Sequence, residues 1–211
     1  MPTNLYLLRH AQAYNNIQPL SYIGADEQLK NPRLTDLGVS QAYTVRTQLK
    51  DIPFDTFYCS PLKRCYETLK LVCPRSIYLP VKVDDRLIEQ PQGQHISNLR
   101  PPRYDISSTV PRYWNCSNVS ELNPFYIKET EVEYQIIRNF VSEILKKHPS
   151  ENVLIVTHGL WISRFIEIYS GEKRHVANCE CIEVILNGIP ASDSENHIND
   201  IISTNKRQRI M

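Results

Sequence analysis

The segment LYLLRH, residues 5–10, is a short apolar run that ends in an arginine and a histidine. Its apolar residues are nearly continuous rather than alternating, which is typical of a strand covered on both faces. Runs of the same kind lie at 54–59 and 153–157, and weaker ones at 77–83 and 181–186. The sequence therefore predicts a buried, mostly parallel sheet.

Helical patterns lie between these runs. Apolar residues recur at helical spacing in four segments, at 35–49, 61–72, 130–147 and 160–169. Thr35 is a suitable capping residue for the first helix, and Ser60 followed by Pro61 predicts the start of the second. Because strands and helices alternate, we expect a single α/β domain: a three-layer sandwich with a central, mostly parallel sheet flanked by helices.

The predicted domain spans residues 1–192, followed by a polar C-terminal tail at 193–211. An insertion at about 91–128 is rich in proline and has no clear periodicity. A long irregular insertion is more often a functional lid than a surface excursion. The side chains that could contact a substrate there are Arg100, Arg103, Tyr104, Tyr113 and Trp114. The aromatic ones could stack on a substrate or simply pack the lid.

The composition of the chain does not indicate binding to nucleic acid or to a membrane. The formal net charge is +1 and 22% of residues are charged, so we predict neither a nucleic-acid nor a membrane partner. The N-terminal apolar run is too short for a signal peptide or for a spanning helix of roughly 20 residues. The six cysteines include no CxxC pair and predict no metal site. We expect a cytoplasmic protein, with the basic residues at 206–209 leaving a nuclear location open.

Two histidines and two arginines occupy related positions. His10 and His158 each follow a predicted strand, where ligands bind in open α/β sheets. Arg9 precedes His10, and Arg64 lies one turn into the helix that follows a third strand. Each alone has an ordinary structural explanation, but arginine forks and helix N-termini suit phosphate oxygens. The four together predict an anion-binding site.

Five segments resemble the motifs of the histidine phosphatase superfamily, in its phosphoglycerate mutase-like branch. They are LRHAQ at 8–12, LTDLG at 34–38, SPLKR at 60–64, RLIE at 86–89 and VTHG at 156–159. They occur in the order of the family. The irregular insertion is also loosely similar to phosphatase domains of the Sts type.

This resemblance implies a catalytic role for three residues. His10 would attack phosphorus and form a phosphohistidine, which splits one difficult step into two. Glu89 would act as general acid on the leaving oxygen and then as general base toward water. His158 would contact the phosphoryl oxygens.

The resemblance also implies a phosphate-binding set, made of Arg9, Arg64, Asn16, His158 and Gly159. No metal and no cofactor are expected, because the arginines and the second histidine supply positive charge. Two positions depart from the family pattern: Ala11 replaces a glycine, and Ala13 replaces a small hydroxyl residue whose role Ser21 could take. The family's motif before the long helix is blurred here, with Glu129 to Glu131 and Arg138 as its nearest match.

A phosphomonoester hydrolase is the favoured function. The run QPQG after Glu89 lacks the tyrosine-glycine pair that phosphoglycerate mutases carry there. A mutase-type phosphotransferase and a catalytically inactive binding module remain alternatives. A cysteine-based phosphatase is excluded by spacing, because Cys59 and Arg64 are one residue too close for Cys-x5-Arg. The substrate, either a small phosphorylated molecule or a phosphoprotein, is left open, as is the oligomeric state, with a homodimer as one option.

Overall fold

The computed structural model describes residues 2–17, 31–88, 115–118 and 130–186. Within these ranges the strands are β1 (Thr3–Arg9), β2 (Thr56–Cys59), β3 (Lys82–Asp84), β4 (Asn115–Asn118), β5 (Asn152–Thr157) and β6 (Cys181–Leu186). The helices are α1 (Asp36–Leu49), α2 (Lys63–Val72), α3 (Thr130–Lys147) and α4 (Gly159–Ser170). Short 3-10 helices cover Tyr14–Asn16, Pro74–Tyr78 and Asp85–Leu87.

The strands form one sheet in the order β4-β3-β2-β5-β1-β6. Of the six strands in the described residues, β6 alone runs antiparallel, against β1. The parallel strands all present their carboxyl ends at the same edge of the sheet. The predicted mostly parallel α/β sheet is confirmed.

Hydrophobic side chains project from both faces of the sheet and form two separate cores. Tyr6 and Leu8 of β1 pack with the buried faces of α1 and α2, whereas Leu5 and Leu7 pack with α3 and α4. Successive residues of a strand point to opposite faces, so nearly continuous apolar runs are what a sheet between two helical layers requires. This arrangement is the predicted three-layer sandwich.

The first helix is fixed against the segment that follows β1. Thr35 Oγ1 accepts a hydrogen bond from the Gly38 backbone N–H at 3.0 Å, as predicted for a capping residue. A Cβ atom at Gly38 would lie 2.0 Å from the carbonyl oxygen of Gln12. Glycine is therefore needed there for close approach of the two backbones, which holds the residues after His10 in place.

Three sequence predictions need correction. The second helix begins at Lys63 rather than Pro61, with Leu62 in place of Ser60 as the residue before its first turn, and the Ser60 hydroxyl lies 2.9 Å from His158 Nε2. The predicted strand at 77–83 is a 3-10 helix at Pro74–Tyr78, with only the short β3 joining the sheet. The insertion is not wholly irregular, since β4 lies in it and pairs with β3.

Other predictions about these segments lie outside the described residues. They concern the rest of the insertion, the five lid side chains (Arg100, Arg103, Tyr104, Tyr113 and Trp114), Ser21 and the C-terminal tail. Among the helices that the structure describes, none is both long and apolar enough to cross a membrane.

A buried histidine lies at the opposite edge of the sheet, beside the amino ends of the strands. Lys82 Nζ is 2.8 Å and the Tyr58 hydroxyl 3.1 Å from His148 Nε2, and Glu151 Oε2 is 2.9 Å from His148 Nδ1. Burial, followed by the charge of Lys82, lowers the pKa of His148. The side chain is therefore held neutral in the folded protein at neutral pH.

Acidification is expected to destabilise the fold partly through His148. The unfolded chain takes up a proton at this residue as the pH falls through its ordinary pKa of 6.5, whereas the folded protein does so only at lower pH. His148→Gln should therefore reduce the slope of stability against pH, by up to about 1.4 kcal/mol per pH unit below that value. Urea unfolding at several pH values from neutral to mildly acidic measures this slope.

The exposed His175 provides the matched control. His175→Gln makes the same substitution at an exposed position, and its slope is compared with those of His148→Gln and the unmodified protein. An unchanged slope in His148→Gln would contradict the prediction.

Candidate active site

The sheet register places the two predicted histidines side by side. Arg9 is paired with Thr157 across β1 and β5, so the next residue of each strand lies at the same carboxyl edge. The His10 backbone N–H donates to the Thr157 carbonyl at 2.9 Å, which continues the ladder by one residue. Their ring centroids are 5.2 Å apart and the rings meet edge to face.

Arg64 lies between the two imidazoles. Its Nε donates to His10 Nε2 at 3.2 Å, and its Nη2 is 3.2 Å from His158 Nδ1. All three side chains are buried, with 5% or less of each residue exposed. The structure therefore brings together His10, His158 and Arg64 as the sequence predicted.

The protonation of His10 suits a nucleophile. Its Nδ1 is 2.7 Å from the Ala11 carbonyl oxygen, which can only accept, so the ring proton lies on Nδ1. The Nε2 lone pair then faces Arg64. Burial, then the Arg64 charge, then that of Arg9, hold the pKa of His10 well below its ordinary value, although the bond to Ala11 opposes this. Neutral imidazole is the form that can attack phosphorus.

His158 is neutral for the same reasons. Burial, the Arg64 charge, the neighbouring His10 and the Arg9 charge all lower its pKa. Its Nε2 is 2.9 Å from the Ser60 hydroxyl oxygen. The free site thus contains two neutral rings and a guanidinium between them.

Arg9 lies against the first turn of α4. Its Nη1 donates to the Val176 carbonyl at 2.6 Å. A Cβ atom at Gly159 would lie 2.9 Å from Arg9 Nε and 3.1 Å from both Cδ and Cζ. The glycine that the sequence assigned to phosphate binding therefore leaves room for the Arg9 side chain.

Gly159→Ala is expected to lower activity without unfolding the protein. The added methyl group would displace the guanidinium of Arg9, a predicted phosphate ligand, and misplacing such a contact costs about 10- to 100-fold in kcat/KM. The measurement is steady-state hydrolysis of a phosphomonoester, with thermal unfolding to verify the fold. Ser170→Ala, at the exposed C-terminal end of the same helix, is the control and should retain near-normal activity. Equal activity in Gly159→Ala and the unmodified protein would exclude this role of the glycine.

Asn16 is held by two donors. Its Oδ1 accepts from the Ala13 backbone N–H at 2.9 Å and from Asn178 Nδ2 at 3.2 Å. These contacts identify Oδ1 as the oxygen and leave the Nδ2 group to face away from them. Asn16 is exposed beside the buried site, so its predicted phosphate contact remains a proposal.

Sequence reasoning missed Asn178. Its Nδ2 also donates to the His10 carbonyl at 3.2 Å, and the Cys179 backbone N–H donates to the same oxygen at 3.2 Å. The residue lies in the loop before β6, and no motif or strand-end position indicated it. Its role becomes visible only when the loop is folded against His10.

The backbone N–H of the residue after His10 is bonded within the protein. The Ala11 backbone N–H donates to Thr68 Oγ1 at 3.0 Å, and that hydroxyl donates to the Arg64 carbonyl at 2.7 Å. Thr68 therefore links the segment after His10 to the helix that carries Arg64. Thr68 is thus a structural residue of the site.

The predicted acid, Glu89, lies outside the described residues. The chain just before it is firmly anchored: Thr157 Oγ1 donates to the Leu87 carbonyl at 2.7 Å, and Trp161 Nε1 donates to the Arg86 carbonyl at 2.8 Å. Arg86 also forms ion pairs with Asp84 at 2.6 Å and with Glu143 at 2.7 Å. The segment that leads to Glu89 is thus bonded to the residue before His158.

Two further predictions concern the surroundings of the site. Arg138 pairs with Glu131 at 2.9 Å within α3, where both side chains are exposed. This ion pair is a surface contact.

Among the described residues, no group of three or more His, Cys, Asp or Glu side chains is arranged to hold a metal ion.

Comparison with known proteins shows the family of the chain. The profile of the histidine phosphatase superfamily (branch 1) matches residues 5–184. Phosphoserine phosphatase 1 of Hydrogenobacter thermophilus is 29% identical over 157 residues, covering 73% of this chain and 70% of the relative. The 5''-phosphoribostamycin phosphatase of Niallia circulans is 26% identical over 176 residues, 79% of this chain and 78% of the relative.

Two phosphoglycerate mutases are also similar. The 2,3-bisphosphoglycerate-dependent enzyme of Thermoplasma acidophilum is 32% identical, but over 83 residues only, 39% of each chain. The crystal structure of phosphoglycerate mutase from Bacillus anthracis superposes with a TM-score of 0.62 at 22% identity, covering 87% of this chain and 88% of that one. This structural likeness shows the fold.

Proposed function

Because the chain belongs to branch 1 of the histidine phosphatase superfamily, we propose that it is a phosphomonoester hydrolase that forms a phosphohistidine on His10. One observation carries the proposal: the Nε2 lone pair of a buried, neutral His10 faces the Arg64 guanidinium at 3.2 Å. A nucleophile and a rigid phosphate ligand thus share one buried site. The second imidazole, His158, borders the same guanidinium.

In the first step the phosphoryl group enters between the rings. Arg64 turns its N–H groups from His10 Nε2 to the phosphoryl oxygens, which frees the lone pair. His10 Nε2 then bonds to phosphorus as the bond from phosphorus to the ester oxygen breaks, and Glu89 gives its proton to that oxygen. Arg9, Arg64 and His158 hold the equatorial oxygens, so catalysis depends on positioning and electrostatic stabilisation.

In the second step water replaces the histidine. Glu89, now a carboxylate, takes a proton from the water as its oxygen bonds to phosphorus, and the bond to His10 Nε2 breaks. The products are inorganic phosphate and the neutral nucleophile. Only Ile88 lies between Glu89 and Leu87, whose carbonyl is anchored by Thr157.

Glu89→Gln is expected to affect substrates according to their leaving group. Glutamine cannot donate the proton, and general acid catalysis contributes about 100- to 10,000-fold for a poor leaving group. Hydrolysis of phosphoserine should fall by that factor in its first step, whereas p-nitrophenyl phosphate should lose far less. Single-turnover rates with both substrates measure the difference. Equal losses for both substrates would show that Glu89 is not the acid.

A phosphatase is favoured over a mutase by two observations. Among the relatives found by sequence, those that match over two thirds of their length are phosphatases, whereas the mutase of Thermoplasma acidophilum matches over 39% of its length. The run after Glu89 also lacks the tyrosine-glycine pair of the mutases. The substrate is a small phosphorylated molecule or a phosphoprotein, selected through the lid residues between 100 and 114. No metal is part of the proposed mechanism.

Hydrolysis and transfer can be assayed on the same protein. We expect release of phosphate from p-nitrophenyl phosphate and phosphoserine, unaffected by chelators, and no 2,3-bisphosphoglycerate-dependent mutase activity. Acid-labile, base-stable labelling of the protein would identify the phosphohistidine. Absence of hydrolysis with several phosphomonoesters, from acid to mildly alkaline pH, would instead support a binding module.

A further inference from the structure

Ser60 is bonded to the second histidine of the site. Its hydroxyl oxygen is 2.9 Å from His158 Nε2, and both residues are almost completely buried. The Ser60 backbone N–H donates to the Val156 carbonyl at 3.0 Å, which fixes the residue at the carboxyl end of β2. The serine that sequence reasoning assigned to a helix cap is therefore part of the site.

The direction of this hydrogen bond follows from Arg64. Its Nη2 lies 3.2 Å from His158 Nδ1, and a guanidinium can only donate, so Nδ1 accepts and the ring proton lies on Nε2. Ser60 Oγ then accepts the Nε2 proton. Cys65 Sγ lies 3.6 Å from the same nitrogen and can donate its own proton to the Thr157 carbonyl at 3.7 Å.

The two imidazoles consequently have opposite tautomers. His10 has its proton on Nδ1, whereas His158 has its proton on Nε2. Once Arg64 turns toward a phosphoryl group, the Nδ1 lone pair of His158 faces anionic oxygens and repels them. To bind the anion, His158 needs a proton on Nδ1.

We propose that Ser60 is a positioning residue for His158: it accepts the Nε2 proton, so that His158 binds the phosphoryl group by taking up a second proton on Nδ1 from solvent. The imidazolium then donates to Ser60 through Nε2 and to a phosphoryl oxygen through Nδ1. This inference rests on the proposed function of the site. The described charged or titratable groups that face His158 include Arg9 and His10 from the β1 side, and Arg64 and Cys65 from α2.

Proton uptake can be counted without turnover. Sulfate is a suitable probe because it stays a dianion throughout the range and is not hydrolysed. Calorimetric titration at mildly alkaline pH, in two buffers with different heats of ionisation, should show uptake of about one proton per sulfate bound. The affinity for sulfate should fall about tenfold for each unit by which the pH is raised. His158→Gln should bind sulfate with no uptake. A His158 that only exchanges its tautomer would take up no proton, and that result would overturn the proposal.

Ser60 is tested through the pH profile. In Ser60→Ala the imidazolium loses its Nε2 acceptor, so the sulfate-affinity and kcat/KM profiles should shift toward acid, with about tenfold weaker sulfate binding at mildly alkaline pH. The nearly isosteric Ser60→Cys should shift them in the same direction, because a thiol is a weak acceptor. A merely structural role would lower both quantities equally at all pH values.

The control is Cys59→Ala, which removes a buried side chain next to Ser60 and should leave the profiles in place. Unshifted profiles in both Ser60 variants would overturn the proposal, and if Ser60→Ala does not fold, the profile of Ser60→Cys decides. Proton-linked sulfate binding without hydrolysis would contradict only the proposed function. Hydrolysis without proton uptake would contradict only this inference.

Discussion

Replacing His10 with asparagine is expected to abolish hydrolysis, with kcat/KM reduced about ten-thousand-fold or more, because the attacking nitrogen is removed. Asparagine is close in size to histidine and can place its amide near the Ala11 carbonyl, so the buried site should remain filled. The His10 backbone contacts to Thr157 and Asn178 do not involve the side chain. The loss should therefore be chemical rather than structural.

Steady-state hydrolysis of p-nitrophenyl phosphate measures this effect, together with labelling of the protein by a phosphorylated substrate. His10→Asn should show neither turnover nor labelling, while sulfate binding persists through Arg9 and Arg64. The exposed His175 is the matched control, and His175→Asn should retain near-normal activity. Residual labelling of folded His10→Asn would mean that another residue is the nucleophile.

The sequence predicted the centre of this site because its residues lie at or just after the carboxyl ends of predicted strands. His10 and His158 each follow an apolar strand, and neighbouring parallel strands place such residues together. Arg64 is close in sequence to the end of β2, a third strand of the same sheet. Local patterns and one topological rule were therefore enough to identify three converging side chains.

The residues that support this centre could not be predicted in the same way. Ser60 followed by Pro61 is a typical helix start in sequence. In the fold, however, the Ser60 hydroxyl bonds to His158, which is far away in the sequence, and the helix begins at Lys63. Asn178 is an ordinary loop residue until the chain folds back against His10. Local propensity gives no information on such tertiary partners.

Arg64→Lys is expected to lower kcat/KM about 100- to 1,000-fold, although the positive charge is retained. In the folded protein the Arg64 guanidinium reaches His10 Nε2 and His158 Nδ1 at once, with two different nitrogens. A lysine ammonium is a single point of charge on a flexible stem and cannot span both rings. The loss should appear mainly in kcat, because the fork aligns the phosphoryl group for attack.

Arg64→Met separates charge from geometry. The Arg64 charge is, after burial, the largest cause that lowers the pKa of both His10 and His158, so its removal should raise both pKa values. Titration of the imidazole resonances by NMR should show this upward shift in Arg64→Met and a smaller one in Arg64→Lys. Arg46→Lys, on the exposed side of α1, is the control and should change neither activity nor titration. If Arg64→Lys retained full activity, the bidentate contact would not be needed, and Arg64 would act through its charge alone.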